Sequence, residues 1–195
     1  MGRGEKPYLS PDLELAESAL TAMAERYRDK PWVLYGTFNE PTYISWSEWR
    51  PVAERLVDTV HAVNPEALVF VSGVDWGYDL SGAIKDPVRR DNIIYETHPY
   101  PGKGEGWKAV LDELRKTTPV FLGEWGFEPG AEDKNLRGTA ERYGNPLLRY
   151  AKERNIGWTA WQWRLPYSEL GMLESWEGYK PNDWGLFIKE ALSQL

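Results

Sequence analysis

The chain has 195 residues, of which 42% are hydrophobic and 14% aromatic, and its formal net charge at pH 7 is −7. This length can bury a core and favours one domain, and the negative charge argues against nucleic acid or an anionic membrane as the partner, because both attract basic surfaces. Cysteine is absent, which excludes disulfides and a cysteine nucleophile. The sequence also contains no apolar run of about 18 residues, the length needed to span a membrane.

Segments with helical spacing of apolar residues alternate with short runs rich in β-branched and aromatic residues. Helices are predicted over 10–29, 47–64, 106–117, 145–155 and 182–194. Strands are predicted over 32–38, 67–72, 92–97, 119–123 and 157–163, and they are apolar throughout rather than alternating with period two. This pattern is typical of a parallel sheet covered by helices, either doubly wound or a β/α barrel.

The loops favour the barrel. Those that follow strands are long and rich in Trp, Tyr, Gly and Glu, at 73–91, 124–144 and 164–181. In β/α barrels the loops after the strands carry the chemistry, and no glycine-rich phosphate loop follows the first strand. The sequence therefore predicts an α/β fold, a partial β/α TIM-type barrel of about five parallel strands with covering helices, as a single domain over 1–195.

Chemically active side chains stand where these strands end. They are Asn39 and Glu40, His98 and Tyr100, Glu124, and then Trp161 and Trp163. Two carboxylates surrounded by aromatic rings suit hydrolysis of a glycosidic bond: one carboxyl group protonates the leaving oxygen, and the other attacks the anomeric carbon or activates water. A tryptophan would form the floor, because the C–H face of a pyranose packs on an aromatic ring.

Four motifs in this order, FNEP, ETHPYP, FLGEWG and WTAWQW, resemble glycoside hydrolase family 5, the cellulase family of retaining (β/α)8-barrel glycosidases. The resemblance covers nearly the whole chain, and it implies that Glu40 is the acid/base and Glu124 the nucleophile. The substrate-binding residues that we infer beside them are Asn39 for the sugar 2-hydroxyl, His98 and Tyr100 beside the nucleophile, Trp163 in preference to Trp161 as the sugar contact, and Trp76 in the loop 73–91.

The same resemblance matches strands four to eight of the family barrel, so the first three strands are missing, together with an arginine and a histidine that support the nucleophile and the sugar. Five strands leave open edges unless something covers them, and we expect a homo-oligomer or a complementing chain to do so. The family implies an extracellular protein, although MGRGEKPYLS at the N-terminus lacks the apolar core of a signal peptide.

The substrate expected from the family is a β-linked oligo- or polysaccharide, and the expected activity is that of a retaining endo-β-1,4-glucanase. Cellulose, mannan, xylan and mixed-linkage glucan remain open, as do two other readings: a non-catalytic carbohydrate-binding remnant and a barrel fragment without a function of its own. We expect no cofactor and no metal, since the two histidines lack close ligand spacing. Glu96 is expected to alternate away from the neighbours of His98 and is given no role.

Overall fold

The structure is a computed structural model and describes residues 12–165 and 170–194 of the chain. The α-helices of this part are α1 (Asp12–Arg26), α2 (Trp46–His61), α3 (Ser81–Lys85), α4 (Gly106–Leu114), α5 (Asn145–Arg154) and α6 (Asp183–Ser193). The predicted start of the first helix, at residues 10 and 11, lies outside the described residues. Within the described ranges, no helix is both long and apolar enough to cross a membrane.

The strands are shorter than predicted. They are β1 (Tyr35–Gly36), β2 (Val69–Ser72), β3 (Ile93–Thr97), β4 (Val120–Leu122), β5 (Gly157–Trp158), and a hairpin of β6 (Leu173–Ser175) and β7 (Lys180–Pro181). Short 3₁₀ turns at Pro101–Lys103 and Glu177–Tyr179 and a π-helical turn at Ala140–Gly144, none of them predicted, complete the elements. The predicted and observed strand lengths differ most in β1 and β5, each of which has two residues where seven were predicted.

The main sheet follows the chain in the order β1-β2-β3-β4-β5. The pairs β1–β2 and β2–β3 are parallel, with Tyr35 opposite Val69 and Val69 opposite Ile93. A doubly wound sheet reverses its strand order at a switch point, whereas this order runs in one direction, as in a β/α barrel. The predicted α/β class, with five parallel strands and covering helices, is confirmed.

The chain forms two compact units. The first comprises Met1–His98 and Gly106–Phe121, and the second comprises Pro99–Glu105 and Leu122–Leu195. Each is described by itself below, and the single domain expected from the sequence stays a prediction.

In the first unit, α2 contributes more residues to the core than any other described helix. Its buried residues are Trp46, Trp49, Ala53, Leu56, Val57 and Val60, which recur at helical spacing. The helix begins after Ser45, whose backbone N–H donates to Glu48 Oε2 at 3.0 Å, one half of a capping box. Trp49 fixes α2 on the sheet, since its indole N–H donates to the carbonyl of Ser72 at 2.9 Å.

The strands of the first unit are buried mainly on one face. Along β2 and β3 the residues on the helix side are buried, whereas Phe70, Ile94 and Glu96 between them are partly exposed; Ser72, which contacts Glu96, is buried. The run at 32–35 was expected to be a fully buried strand, but Trp32 is 71% and Leu34 40% exposed. The composition predicted burial on both faces, and the described residues of this unit cover one of them.

In the second unit, an aromatic cluster around Trp125 forms the core and includes Trp158 of β5. The ring of Trp125 is fully buried and meets Trp184 edge-on with ring centroids 5.4 Å apart. Helix α6 is held at its start by Asn182, whose side-chain oxygen accepts the N–H of Gly185 at 3.0 Å.

Candidate active site

Glu40 follows β1 at the carboxyl end of the strand. The preceding Phe38 meets Trp49 edge-on with ring centroids 6.0 Å apart, and this contact ties the strand end to α2. Glu40 Oε1 lies 2.9 Å from His98 Nδ1, and the Glu40 side chain keeps 17% of its surface exposed. Asn39 is exposed beside it. The structure therefore gives Glu40 a proton-exchanging partner and leaves it open to solvent.

His98, one residue beyond β3, is completely buried. Its backbone N–H donates to the carbonyl of Gly77 at 3.1 Å, which brings the loop after β2 over the ring. A Cβ on Gly77 would lie 2.6 Å from His98 Nδ1, and Gly77 has a positive φ of 72°. A glycine is therefore required where this loop crosses the imidazole.

Glu96 contacts His98, which corrects the expectation that it points elsewhere. Its Oε1 lies 3.3 Å from His98 Nε2, and its Oε2 accepts a hydrogen bond from the Ser72 hydroxyl at 3.2 Å. The physical reason is the pleat of the strand, since residues two apart project from the same face. That spacing was readable from the sequence, so Glu96 is a site residue that the sequence reasoning missed.

Glu124 lies two residues beyond β4 in the second unit and is buried. The hydroxyl of Tyr100 donates a hydrogen bond to Glu124 Oε2 at 3.1 Å. The segment that carries Tyr100 is anchored at Pro99, whose carbonyl accepts a hydrogen bond from the buried Tyr143 hydroxyl. Burial, followed by the nearby Glu105 carboxylate, raises the pKa of Tyr143 well above its ordinary value, so this anchor stays protonated.

The two tryptophans after β5 are placed differently. Two hydrogen bonds fix the backbone of Trp161. Its N–H donates to the carbonyl of Trp125 at 2.9 Å, and its carbonyl accepts a hydrogen bond from Trp184 Nε1 at 3.1 Å. Its side chain is 40% exposed. Trp163 is 61% exposed and packs on Tyr179 with ring centroids 6.1 Å apart. Trp161 is thus held beside the residue that follows Glu124.

Trp76 belongs to the loop after β2 and lies near the end of β1. Its backbone N–H donates to the carbonyl of Pro41 at 3.2 Å, directly after Glu40. Its ring meets Tyr43 edge-on, with ring centroids 6.4 Å apart, and both rings are exposed. Tyr43 was not singled out from the sequence, where a lone loop tyrosine carries no signal.

His98 is the natural candidate for a metal ligand in the first unit. Its contacts with Glu40 and Glu96 have hydrogen-bond lengths, 2.9 and 3.3 Å, against roughly 2.0–2.2 Å for bonds to zinc. The two carboxylates lie on opposite ring nitrogens, so both cannot join the ring around one ion. The arrangement suits proton exchange between a carboxyl group and an imidazole.

The second unit also contains a cavity of about 730 Å³. Its lining includes the aromatic rings of Phe127, Trp184 and Phe187 and the carboxylates of Glu141 and Glu174. None of the residues predicted to act on substrate lines it, so this cavity is separate from the candidate catalytic groups.

Comparison with known proteins agrees with the sheet and the motifs. The chain matches the family described as Cellulase (glycosyl hydrolase family 5) over residues 6–165. Endoglucanase MaCel5A of Microbulbifer sp. (strain ALW1) is 30% identical over 191 residues, covering 92% of this chain and 36% of that protein. Endoglucanase Z of Dickeya dadantii (strain 3937) is 35% identical over 107 residues, covering 53% of this chain and 25% of that protein.

Among solved structures, the β-glucanase SdGluc5_26A of Saccharophagus degradans superposes with a TM-score of 0.83 and 26% identity. The match covers 93% of this chain and 60% of that one, and the same β-glucanase in complex with cellotetraose gives a TM-score of 0.82. The chain thus spans less than two thirds of each of these three proteins. Its fold is that of a partial TIM-type barrel, and the chain belongs to the Cellulase family, glycosyl hydrolase family 5.

Proposed function

We propose that this chain carries the catalytic glutamates of a retaining endo-β-1,4-glucanase. The observation that carries the proposal is that Glu40 and Glu124 each follow a strand of the parallel sheet and each contact a group suited to their role. Glu40 is paired with an imidazole, and Glu124 accepts a hydrogen bond from a phenol. The endoglucanases among the relatives, and the β-glucanase that binds cellotetraose, support a β-linked glucan as the substrate.

The proposed reaction has two steps. In the first, Glu124 attacks the anomeric carbon and forms a glycosyl ester, while Glu40 gives its proton to the departing glycosidic oxygen. In the second, Glu40 takes a proton from water, whose oxygen attacks the same carbon and releases the sugar with its original configuration. The Tyr100 hydroxyl favours the ionised form of Glu124, because it donates a hydrogen bond to the carboxylate.

Binding of the sugar is assigned to residues around these carboxylates. Asn39 would hold the 2-hydroxyl. We assign the stacking floor to Trp161 rather than Trp163, because its anchored backbone runs beside Trp125, the neighbour of Glu124. The exposed ring of Trp76 would extend the binding surface near Glu40.

Further β/α units are proposed to cover the open face of the first unit in the active enzyme. This face includes Leu34, which is 40% exposed, and Leu68, and the rings of Phe70 and Phe121 contact each other there at 5.1 Å while remaining partly exposed. The interior of a β/α barrel is a packed core, and β1 is the edge strand of the sheet. The units would belong to the same polypeptide or to a complementing chain.

Light scattering combined with urea denaturation tests this covering. A complementing segment that adds strands should form a stoichiometric complex and raise the free energy of unfolding. If the chain alone forms a homo-oligomer, self-association covers the open face and the proposal of added β/α units is wrong. A monomer that unfolds cooperatively and binds no complementing segment would contradict both.

The activity is tested by reducing-sugar release from cellulose, mannan, xylan and mixed-linkage glucan. We expect Glu40→Ala and Glu124→Ala to lose about 10²–10⁴-fold or more, and the exposed Glu66→Gln to serve as the charge-matched control. Proton NMR of the first product should show the β-anomer if configuration is retained. Unchanged activity in either alanine variant would refute the assignment. Saccharide binding without hydrolysis by a folded sample would favour a non-catalytic remnant.

A further inference from the structure

Glu40, His98 and Glu96 form a hydrogen-bonded row within the first unit. The imidazole lies between the two carboxylates, with Nδ1 2.9 Å from Glu40 and Nε2 3.3 Å from Glu96. Ser72 holds the far oxygen of Glu96 at 3.2 Å, and the Ser72 carbonyl is itself fixed by Trp49. Glu96 belongs to β3 and contacts the ring from there, while Ser72 of β2 fixes the orientation of its carboxylate.

The tautomer of a neutral histidine is decided by the hydrogen bonds at its two nitrogens. An ionised carboxylate can only accept, so Glu96 favours a proton on Nε2. Nδ1 then faces Glu40 either as a lone pair or, in the imidazolium, as an N–H donor. Because the ring is fully buried, water cannot replace either partner.

We propose that Glu96 is a positioning residue that keeps a proton on Nε2 of His98, so that Nδ1 serves as the proton partner of Glu40. The proposal rests on the proposed acid/base role of Glu40. In the free enzyme one proton is shared between the two groups: either Glu40 is ionised and Nδ1–H donates to it, or Glu40 carries the proton and Nδ1 accepts. In the proposed reaction Glu40 gives this proton to the departing glycosidic oxygen, and water returns one in the second step. A purely structural Glu96 would leave the protonation of His98 unchanged.

The described charged contacts of the ring within the first unit are Glu40 and Glu96. The loop that crosses the ring meets it at the neutral Gly77 and also carries the carboxylates of Asp75 and Asp79. Glu124 belongs to the second unit. A Glu124→Gln variant therefore accompanies the test, so that any contribution of that carboxylate is measured separately.

The first test needs no enzymatic activity. The chain has two histidines, so His61→Gln leaves the ¹⁵N signals of His98 alone. In that background we expect the neutral ring of His98 to carry its proton on Nε2. Glu96→Gln should lower the titration midpoint by about one pH unit or more, because it removes an anion beside the ring. Glu66→Gln, which removes an exposed carboxylate elsewhere in the same unit, should leave the midpoint in place.

An unchanged midpoint and an unchanged tautomer in Glu96→Gln would overturn the proposal. If that variant does not fold, Ser72→Ala is the second variant: it keeps the carboxylate but removes its anchor. It should shift the midpoint in the same direction by a smaller amount. A native His98 titration in a folded Ser72→Ala would then count against the proposal.

Kinetics separate this proposal from the function it rests on. With aryl β-cellobiosides, kcat/KM reports the first step, in which the leaving group departs, and loss of proton delivery should slow poor leaving groups most. Glu96→Gln should therefore reduce kcat/KM about tenfold or more for the phenyl cellobioside. It should have little effect on kcat/KM for the 2,4-dinitrophenyl cellobioside. Equal losses for both leaving groups would contradict the role of Glu96. Full activity in Glu40→Ala would instead refute the proposed function, and the NMR result would still stand.

Discussion

Replacing Gly77 by alanine should disturb the imidazole of His98 more than it disturbs the backbone. An alanine in the left-handed region costs about 1–2 kcal/mol. At Gly77 its Cβ would also lie 2.6 Å and 2.8 Å from two ring atoms of His98, and forcing extra volume into a packed site costs about 1–3 kcal/mol more. We therefore expect Gly77→Ala to lower the free energy of unfolding by about 2–5 kcal/mol.

Gly178 offers the control. It also has a positive φ, 64° with ψ 10°, but a Cβ there would meet no atom within 4 Å. Gly178→Ala should therefore show the cost of the left-handed backbone alone. The difference between the two variants measures the overlap with His98.

The assay is urea denaturation followed by tryptophan fluorescence, with the linear dependence on urea used to extract the free energy of unfolding. The ¹⁵N signals of His98 should shift in Gly77→Ala and stay native in Gly178→Ala. If the two variants are equally stable within about 0.5 kcal/mol, and the His98 signals are native in both, the reasoning from the close approach of the loop is wrong.

Three further predictions concern the supports of the two units. Trp49→Phe should cost about 1–3 kcal/mol in urea denaturation, because it leaves the Ser72 carbonyl without the indole N–H; a change below about 0.5 kcal/mol would contradict this role. Burial raises the pKa of Tyr143 above 10.0, so its contribution to stability should be full below pH 10 and fall as pH rises towards the folded-state pKa. Tyr143→Phe should reduce this alkaline loss in a pH series of thermal melts, and an unaltered alkaline limb would count against it. Asn182→Ala should cost about 1 kcal/mol and speed hydrogen exchange at the Gly185 amide; native exchange there would show that the cap contributes nothing.

The alternation of helices and strands and the position of Glu40 and Glu124 at strand ends could be predicted from the sequence. Apolar runs with β-favouring residues end in polar side chains at Asn39, Glu40 and Glu124, and the parallel arrangement brings such ends to one edge of a sheet. The lengths of β1 and β5 could not be predicted from the sequence, because a strand ends where the neighbouring strand no longer provides backbone hydrogen-bond partners. That depends on residues far apart in the chain.

The side-chain partners were predicted less well. The sequence did not identify Glu40 and Glu96 as the ring contacts of His98 within the first unit, and the expected role of His98 beside the nucleophile stays a prediction. The i, i+2 spacing of Glu96 and His98 was visible in the sequence, but the closing contact with Ser72 comes from another strand. Only the folded sheet shows that these three residues meet.

By itself, the sequence determined the class of fold, the family, and which carboxylates stand at strand ends, because these depend on local periodicity and on motifs of adjacent residues. The tertiary structure decided which groups face each carboxylate, which tryptophan has an anchored backbone, and which face of the first unit is left uncovered. These depend on packing between distant segments: an apolar residue such as Leu34 reads the same in sequence whether a neighbour covers it or not.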